Sequence, residues 1–157
     1  MMQGFTEDIS MKKIVCCTDF SENAEAAFVT ALEMAKKYGA KLIVIHVLPA
    51  VANPVLAEAE WVFPVESKKS MISELEDRME EEYGSRIDDS IDSELIVLDG
   101  HVSSQIITYL EENGVDLVVT GAYGLSGVGL VVFGSVAKRL AHRAPCSALI
   151  VRLQKDS

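Results

Sequence analysis

A doubly wound α/β fold is expected for this chain: one five-stranded parallel sheet in the order 3-2-1-4-5, with helices on both faces. Three observations lead there. Short aliphatic runs alternate with longer stretches of helical periodicity, in the order β-α-β-α-β-α-β-α-β. Aromatic residues are only 6% of the chain against an apolar total of 49%, so Val, Ile, Leu and Ala must fill the core. Aliphatic strands of that kind suit a parallel sheet buried on both faces. Finally, 157 residues fit one domain with a sizeable core. Right-handed crossovers leave few arrangements of such a chain.

The elements follow in order. Lys12 to Thr18 (KKIVCCT) reads as strand one. Asp19 or Ser21 then caps a helix, with Glu22 able to close a capping box on Asp19. Ala27, Phe28, Ala31, Leu32 and Ala35 form its apolar face, and Gly39 ends it. Lys41 to Leu48 is strand two, ended by Pro49. Residues 49 to 66 hold three prolines together with Trp61 and Phe63 and read as a long excursion, with a short helix near Leu56 to Glu60. Glu66 to Tyr83 is an amphipathic helix with Ile72, Leu75 and Met79 inward, stopped at Gly84. Glu94 to Leu98 is strand three. Ser103 or Ser104 caps the next helix, which ends at Asn113-Gly114. Asp116 to Thr120 is strand four. A glycine-rich stretch runs from Gly121 to Gly134, the last helix from Ser135 to His142, and strand five from Ser147 to Leu153. One domain over residues 1–157 is expected, with 1–10 a loose polar extension.

Composition excludes several function classes. The formal net charge of −10 repels phosphate backbones, so nucleic acid is not an expected partner. Lys138, Arg139, His142 and Arg143 read as a solvated helix face near a helix C-terminus. Three cysteines without C-x-x-C spacing argue against a disulfide framework or a zinc site. Cys16 and Cys17 are neighbours in a strand and point to opposite faces. Reduced thiols, a polar N-terminus without a signal-peptide pattern, and apolar runs too short for a bilayer give the expectation of a cytoplasmic protein off the membrane.

In the order 3-2-1-4-5 the sheet reverses direction between strands one and four, and ligands of such sheets bind at the strands' carboxyl ends there. Those ends are Thr18-Asp19 and Thr120-Gly121. The second opens GAYGLSGVGLVVFGS, whose glycines permit positive φ and expose N–H groups to an anion. The stretch feeds a helix N-terminus, and Ser135 adds a hydroxyl. This arrangement suits a phosphate chain.

Gly121-x2-Gly124-x9-Gly134-Ser135 resembles, glycine for glycine, the nucleotide-binding pattern of the universal stress proteins. Thr18-Asp19-Phe20-Ser21, His46-Val47, Gly100, Gly114-Val115-Asp116 and Pro145 are similar to that family at corresponding places, so the resemblance runs from about Lys12 to Leu153. It implies ATP, ADP or AMP as ligand. Thr18 and Asp19 would lie near ribose and phosphates, Val47 would meet adenine through its backbone, and Gly121, Gly124, Ser126, Gly134 and Ser135 would wrap ribose and phosphates. Mg or Mn would be held through the phosphates, with no protein metal site. A homodimer through strand five, residues 147–153, is implied as well; that strand should be an apolar sheet edge of the kind that pairs with another chain. The chain departs from the family at Cys17 and Val102, where Pro is frequent. The interval between Gly124 and Gly134 is apolar and has no Lys or Arg.

There is no Ser-His-Asp order, no metal-ligand cluster, no G-x-x-x-x-G-K-[ST] loop and no evident general base. Nucleotide retention by a stress-response regulatory module is therefore expected, with at most slow hydrolysis. Two other readings stay open: an ATP-using enzyme, and a nucleotide-free dimeric scaffold whose glycines only shape a turn. His46 in its apolar strand reads as a satisfied core histidine, His101 as a loop histidine, and Cys17 as buried.

Overall fold

The computed structural model describes residues 10–50, 65–123 and 134–153. Within them lie five parallel strands in the order β3-β2-β1-β4-β5. The elements are β1 (Lys13–Cys17), α1 (Glu22–Tyr38), β2 (Lys41–Pro49), α2 (Val65–Glu82), β3 (Ser93–Gly100), α3 (Val102–Asn113), β4 (Leu117–Gly121), α4 (Ser135–Arg143) and β5 (Ser147–Val151). A 3-10 turn at Gly84–Arg86 follows α2. The expected architecture is the observed one, and β5 is a sheet edge. Residues 1–9, Leu56 to Glu60, Trp61 and Phe63 lie outside the described residues.

Strand alternation sorts the core into two clusters, one on each sheet face. Ile14, Cys16, Leu42, Val44 and Leu117 pack with Phe28 of α1, with Met79 of α2 and with Tyr83 just after it. Val15, Cys17, Ile43, Ile45, Val47 and Val118 pack with Ile106 and Leu110 of α3 and Leu140 of α4. Cys16 and Cys17 therefore face opposite sides, both buried, as their adjacency in a strand requires. Burial pushes the Cys17 thiol up to about 12 and raises Cys16 as well, so neither is a reactive thiolate.

Several boundaries shift for identifiable reasons. Ser21, not Asp19, is the N-cap of α1; its Oγ accepts the Ala24 N–H at 3.2 Å. Glu22 then stands at the first helical position, outside capping-box spacing. His101, not Ser103 or Ser104, is the N-cap of α3, with Nδ1 accepting from Ser104 N at 3.4 Å. β4 begins at Leu117, and the Asp116 carboxyl group just before it accepts the N–H groups of Lys12 and Lys13 at 2.8 and 3.0 Å. Gly39 and Gly114, both in the left-handed region, close α1 and α3 as expected.

Candidate functional site

β1 and β4 are hydrogen-bonded neighbours whose crossovers run to opposite sides, so a crevice opens above their carboxyl ends. Two backbone bonds fix its far wall. Ala122 N donates to Val151 O at 2.9 Å, and Gly134 N donates to Ala122 O at 2.7 Å. The chain thus leaves β4 and returns to the same place, which sets the N-terminus of α4 against the end of β4. Gly134 caps α4 without a side-chain hydrogen bond, so among the described residues no N-cap side chain occupies the helix's first N–H groups.

Gly121 is buried in β4 for a steric reason. A Cβ there would lie 2.9 Å from the backbone carbon and oxygen of Asn23. That close approach lets the first turn of α1 sit directly on the end of β4.

The near wall is built by the turn from β1 into α1. Phe20 has φ +64°, rare for a bulky residue. Two side chains stabilise the turn: Phe20 N donates to Thr18 Oγ1 at 2.9 Å, and Ser21 N donates to Asp19 Oδ1 at 3.0 Å. The Phe20 ring lies 4.7 Å from His46 and 6.0 Å from Tyr83, with the Arg78 guanidinium 3.9 Å over it. A non-glycine residue in this region costs about 1–3 kcal/mol, which these contacts offset. His46 is hydrogen-bonded as expected, its Nδ1 donating to Thr18 O at 2.8 Å, but it is half-buried and lines the crevice rather than sitting in the core. A carbonyl only accepts, so Nδ1 carries the proton. Burial lowers the His46 pKa, and Arg78 adds to this; the Thr18 bond and Asp19 act the other way.

Together these walls enclose a cavity of about 550 Å³. Thr18, Asp19, Val47, Gly121, Gly134 and Ser135 all line it. Gly124 and Ser126 lie outside the described residues. The Thr18 hydroxyl is bonded to the Tyr83 hydroxyl on the opposite side of the sheet end, so Thr18 meets the cavity chiefly through its backbone. Sequence reasoning missed Val102 and Ile106 of α3, Thr120, Tyr123, and Val136 and Ala137 of α4, of which the aliphatic ones supply the apolar lining. One signal could have found them: they sit in the first two turns of helices that follow strands, or at or just past a strand's end, beside the switch point. A second hollow, about 640 Å³, lies at the other end of β3 among Glu80, Asp88, Asp89 and Asp92. It is an open acidic surface that gathers none of the expected residues. Among the described residues no group of His, Cys, Asp or Glu could hold a metal ion, and no helix is long and apolar enough to cross a membrane.

Comparison with known proteins agrees with this geometry. The model of the universal stress protein family matches residues 11–152. Universal stress protein MJ0531 of Methanocaldococcus jannaschii is 32% identical over 150 residues, covering 92% of this chain and 84% of that one. The solved structure of hypothetical protein MJ0577 superposes with a TM-score of 0.79 at 24% identity, over 94% of this chain and 99% of that one. Universal stress proteins solved in complex with cAMP and, from Archaeoglobus fulgidus, with dAMP share the fold at TM-scores of 0.58 and 0.54, with 24% and 21% identity. They cover 92% and 91% of this chain, and 99% and 98% of their own. The family match over nearly the whole chain, on a sheet of the expected order with its crevice at the switch point, has one conclusion: this chain belongs to the universal stress protein family.

Proposed function

We propose that the crevice binds an adenine nucleotide, ATP or its di- or monophosphate, and that the protein is a stress-response regulator whose partner or dimer contacts depend on that occupancy. The observation that carries this reading is the meeting of three features around one cavity: the end of β1 with Asp19, the end of β4 with Gly121, and the start of α4 with Gly134 and Ser135. Adenine lies against the apolar wall of Val102 and Ile106 and meets the Val47 backbone. Asp19 faces the ribose. The phosphates lie at the N-terminus of α4, where N–H groups and the helix dipole favour an anion, with Gly124 and Ser126 contributing from the glycine-rich segment. Mg or Mn joins through phosphate oxygens and water. Support comes from the two proteins of this fold solved with cAMP and dAMP.

The edge strand β5 with the residues just after it, 147–153, pairs two copies into a homodimer in this proposal; a monomer by sedimentation at micromolar concentration removes that part. The cytoplasm is the proposed location. For the nucleotide, protein purified without additions is denatured and the released small molecules are identified by chromatography with mass detection. Ser135→Trp, at an exposed helix position lining the cavity, is the control. About one equivalent of adenine nucleotide, absent from the control, supports binding. No nucleotide, and no uptake on titration with ATP and magnesium, leaves the nucleotide-free scaffold.

A further inference from the structure

The placement of the chain's cations narrows which nucleotide the crevice takes. There are 14 Lys and Arg residues, and all but Lys155 fall among the described residues. None of the described ones lines the cavity. The segments 51–64 and 124–133 contain no Lys, Arg or His at all. Several described cations are engaged elsewhere: Arg78 pairs with Glu82 and covers Phe20, Arg86 pairs with Glu25, and Lys68 pairs with Asp99. Lys138 and Arg139 of α4 are exposed and outside the lining.

The described wall instead carries a carboxyl group, Asp19. Its histidine, His46, is held toward the neutral form by burial. The protein around it has a formal net charge of −10. Among the described residues the element that favours an anion is the N-terminus of α4, worth about half a positive charge. That suits one phosphate group. A phosphate monoester carries about −1.5 to −2 charges at pH 7, and every further phosphate adds another negative charge with no side-chain cation to meet it. In a partly desolvated crevice this repulsion is stronger than in water.

We propose that this crevice selects adenine mononucleotides over the triphosphate, and that it takes ATP only when a divalent cation neutralises part of the phosphate chain. The inference rests on the nucleotide reading above. It makes a distinction that reading does not: occupancy would follow the monophosphate level and the free magnesium level rather than ATP alone.

Titration calorimetry on the full chain, at low ionic strength with EDTA, compares AMP, ADP and ATP, and is then repeated with magnesium. AMP is expected to bind at least about tenfold tighter than ATP in EDTA, a gap that magnesium narrows. Ser135→Lys places a cation at the start of α4 and is expected to raise ATP affinity in EDTA more than AMP affinity. A gap below tenfold in EDTA, or tighter binding of ATP, overturns the selectivity while leaving nucleotide binding intact. Failure of all three nucleotides to bind, with and without magnesium, overturns the nucleotide reading itself and this inference with it.

Discussion

Tyr83 and Thr18, 65 positions apart, meet hydroxyl to hydroxyl in a buried hydrogen bond. The bond ties the chain just after α2 to the carboxyl end of β1, one residue before Asp19. The Tyr83 ring also packs against Phe28 at 4.7 Å, and burial pushes its hydroxyl up to about 12. Tyr83→Phe keeps the ring and removes only the hydrogen bond. A loss of about 1–2 kcal/mol in urea unfolding is expected. Tyr83→Phe combined with Thr18→Val should cost less than the sum of the two single changes, because the bond between the hydroxyls is common to both, while Thr18→Val alone also removes the acceptor of Phe20 N–H. Strict additivity would show that the bond contributes nothing.

Gly121→Ala should destabilise the protein by about 1–3 kcal/mol through overpacking. The added methyl lands 2.9 Å from the Asn23 backbone, so trimming the Asn23 side chain will not rescue it. Thermal unfolding of Gly121→Ala, alone and with Asn23→Gly, checks this. Full rescue would place the clash on the side chain instead.

Ser135→Glu separates folding from binding. A carboxylate in the first turn of α4 favours the helix by about 0.3–1 kcal/mol, yet it faces the same N–H groups as the proposed phosphate. The variant should melt no lower than the original protein while losing about tenfold or more in nucleotide affinity. Unchanged affinity would move the phosphate away from α4.

His46 makes stability depend on pH. Its folded pKa lies below the ordinary 6.5, so the unfolded chain takes up its proton first as the pH falls. The stabilisation from keeping His46 neutral is fully present above 6.5 and declines as the pH drops toward the folded value. Melting temperatures from pH 8 to 5.5 should fall more steeply for the original protein than for His46→Gln. Parallel curves would assign the acid sensitivity to the carboxylates.

The strands were legible because β1, β2 and β4 are buried on both faces, and such strands are short, aliphatic and bounded by polar residues. What escaped was set by contacts between side chains and distant or unexpected backbone. The carboxyl group of Asp116 binds the Lys12 and Lys13 N–H groups just ahead of β4. A histidine in place of a serine caps α3. Phe20 adopts positive φ without being glycine, held by neighbours from β2 and α2 that local pattern cannot supply. The crevice was legible through glycine spacing and the switch-point rule. Its apolar lining was not, since Val102, Ile106 and Val136 look like any inward helix residues. Gly121 was read as a ligand-side glycine, and the structure adds a packing reason for it.

The place of β1 between β2 and β4 has a consequence for how the chain is made. Its partner on one side, β2, follows immediately in sequence. Its partner on the other side arrives late: Lys13 N–H reaches Asp116, 103 positions away. At a synthesis rate of about 5–20 residues per second, β1 therefore waits roughly 5–20 s with one row of N–H and C=O groups unpaired. The strand at the centre of the finished sheet is, on the ribosome, an aliphatic open edge, and that interval is when the nascent protein is most exposed to pairing with the wrong chain.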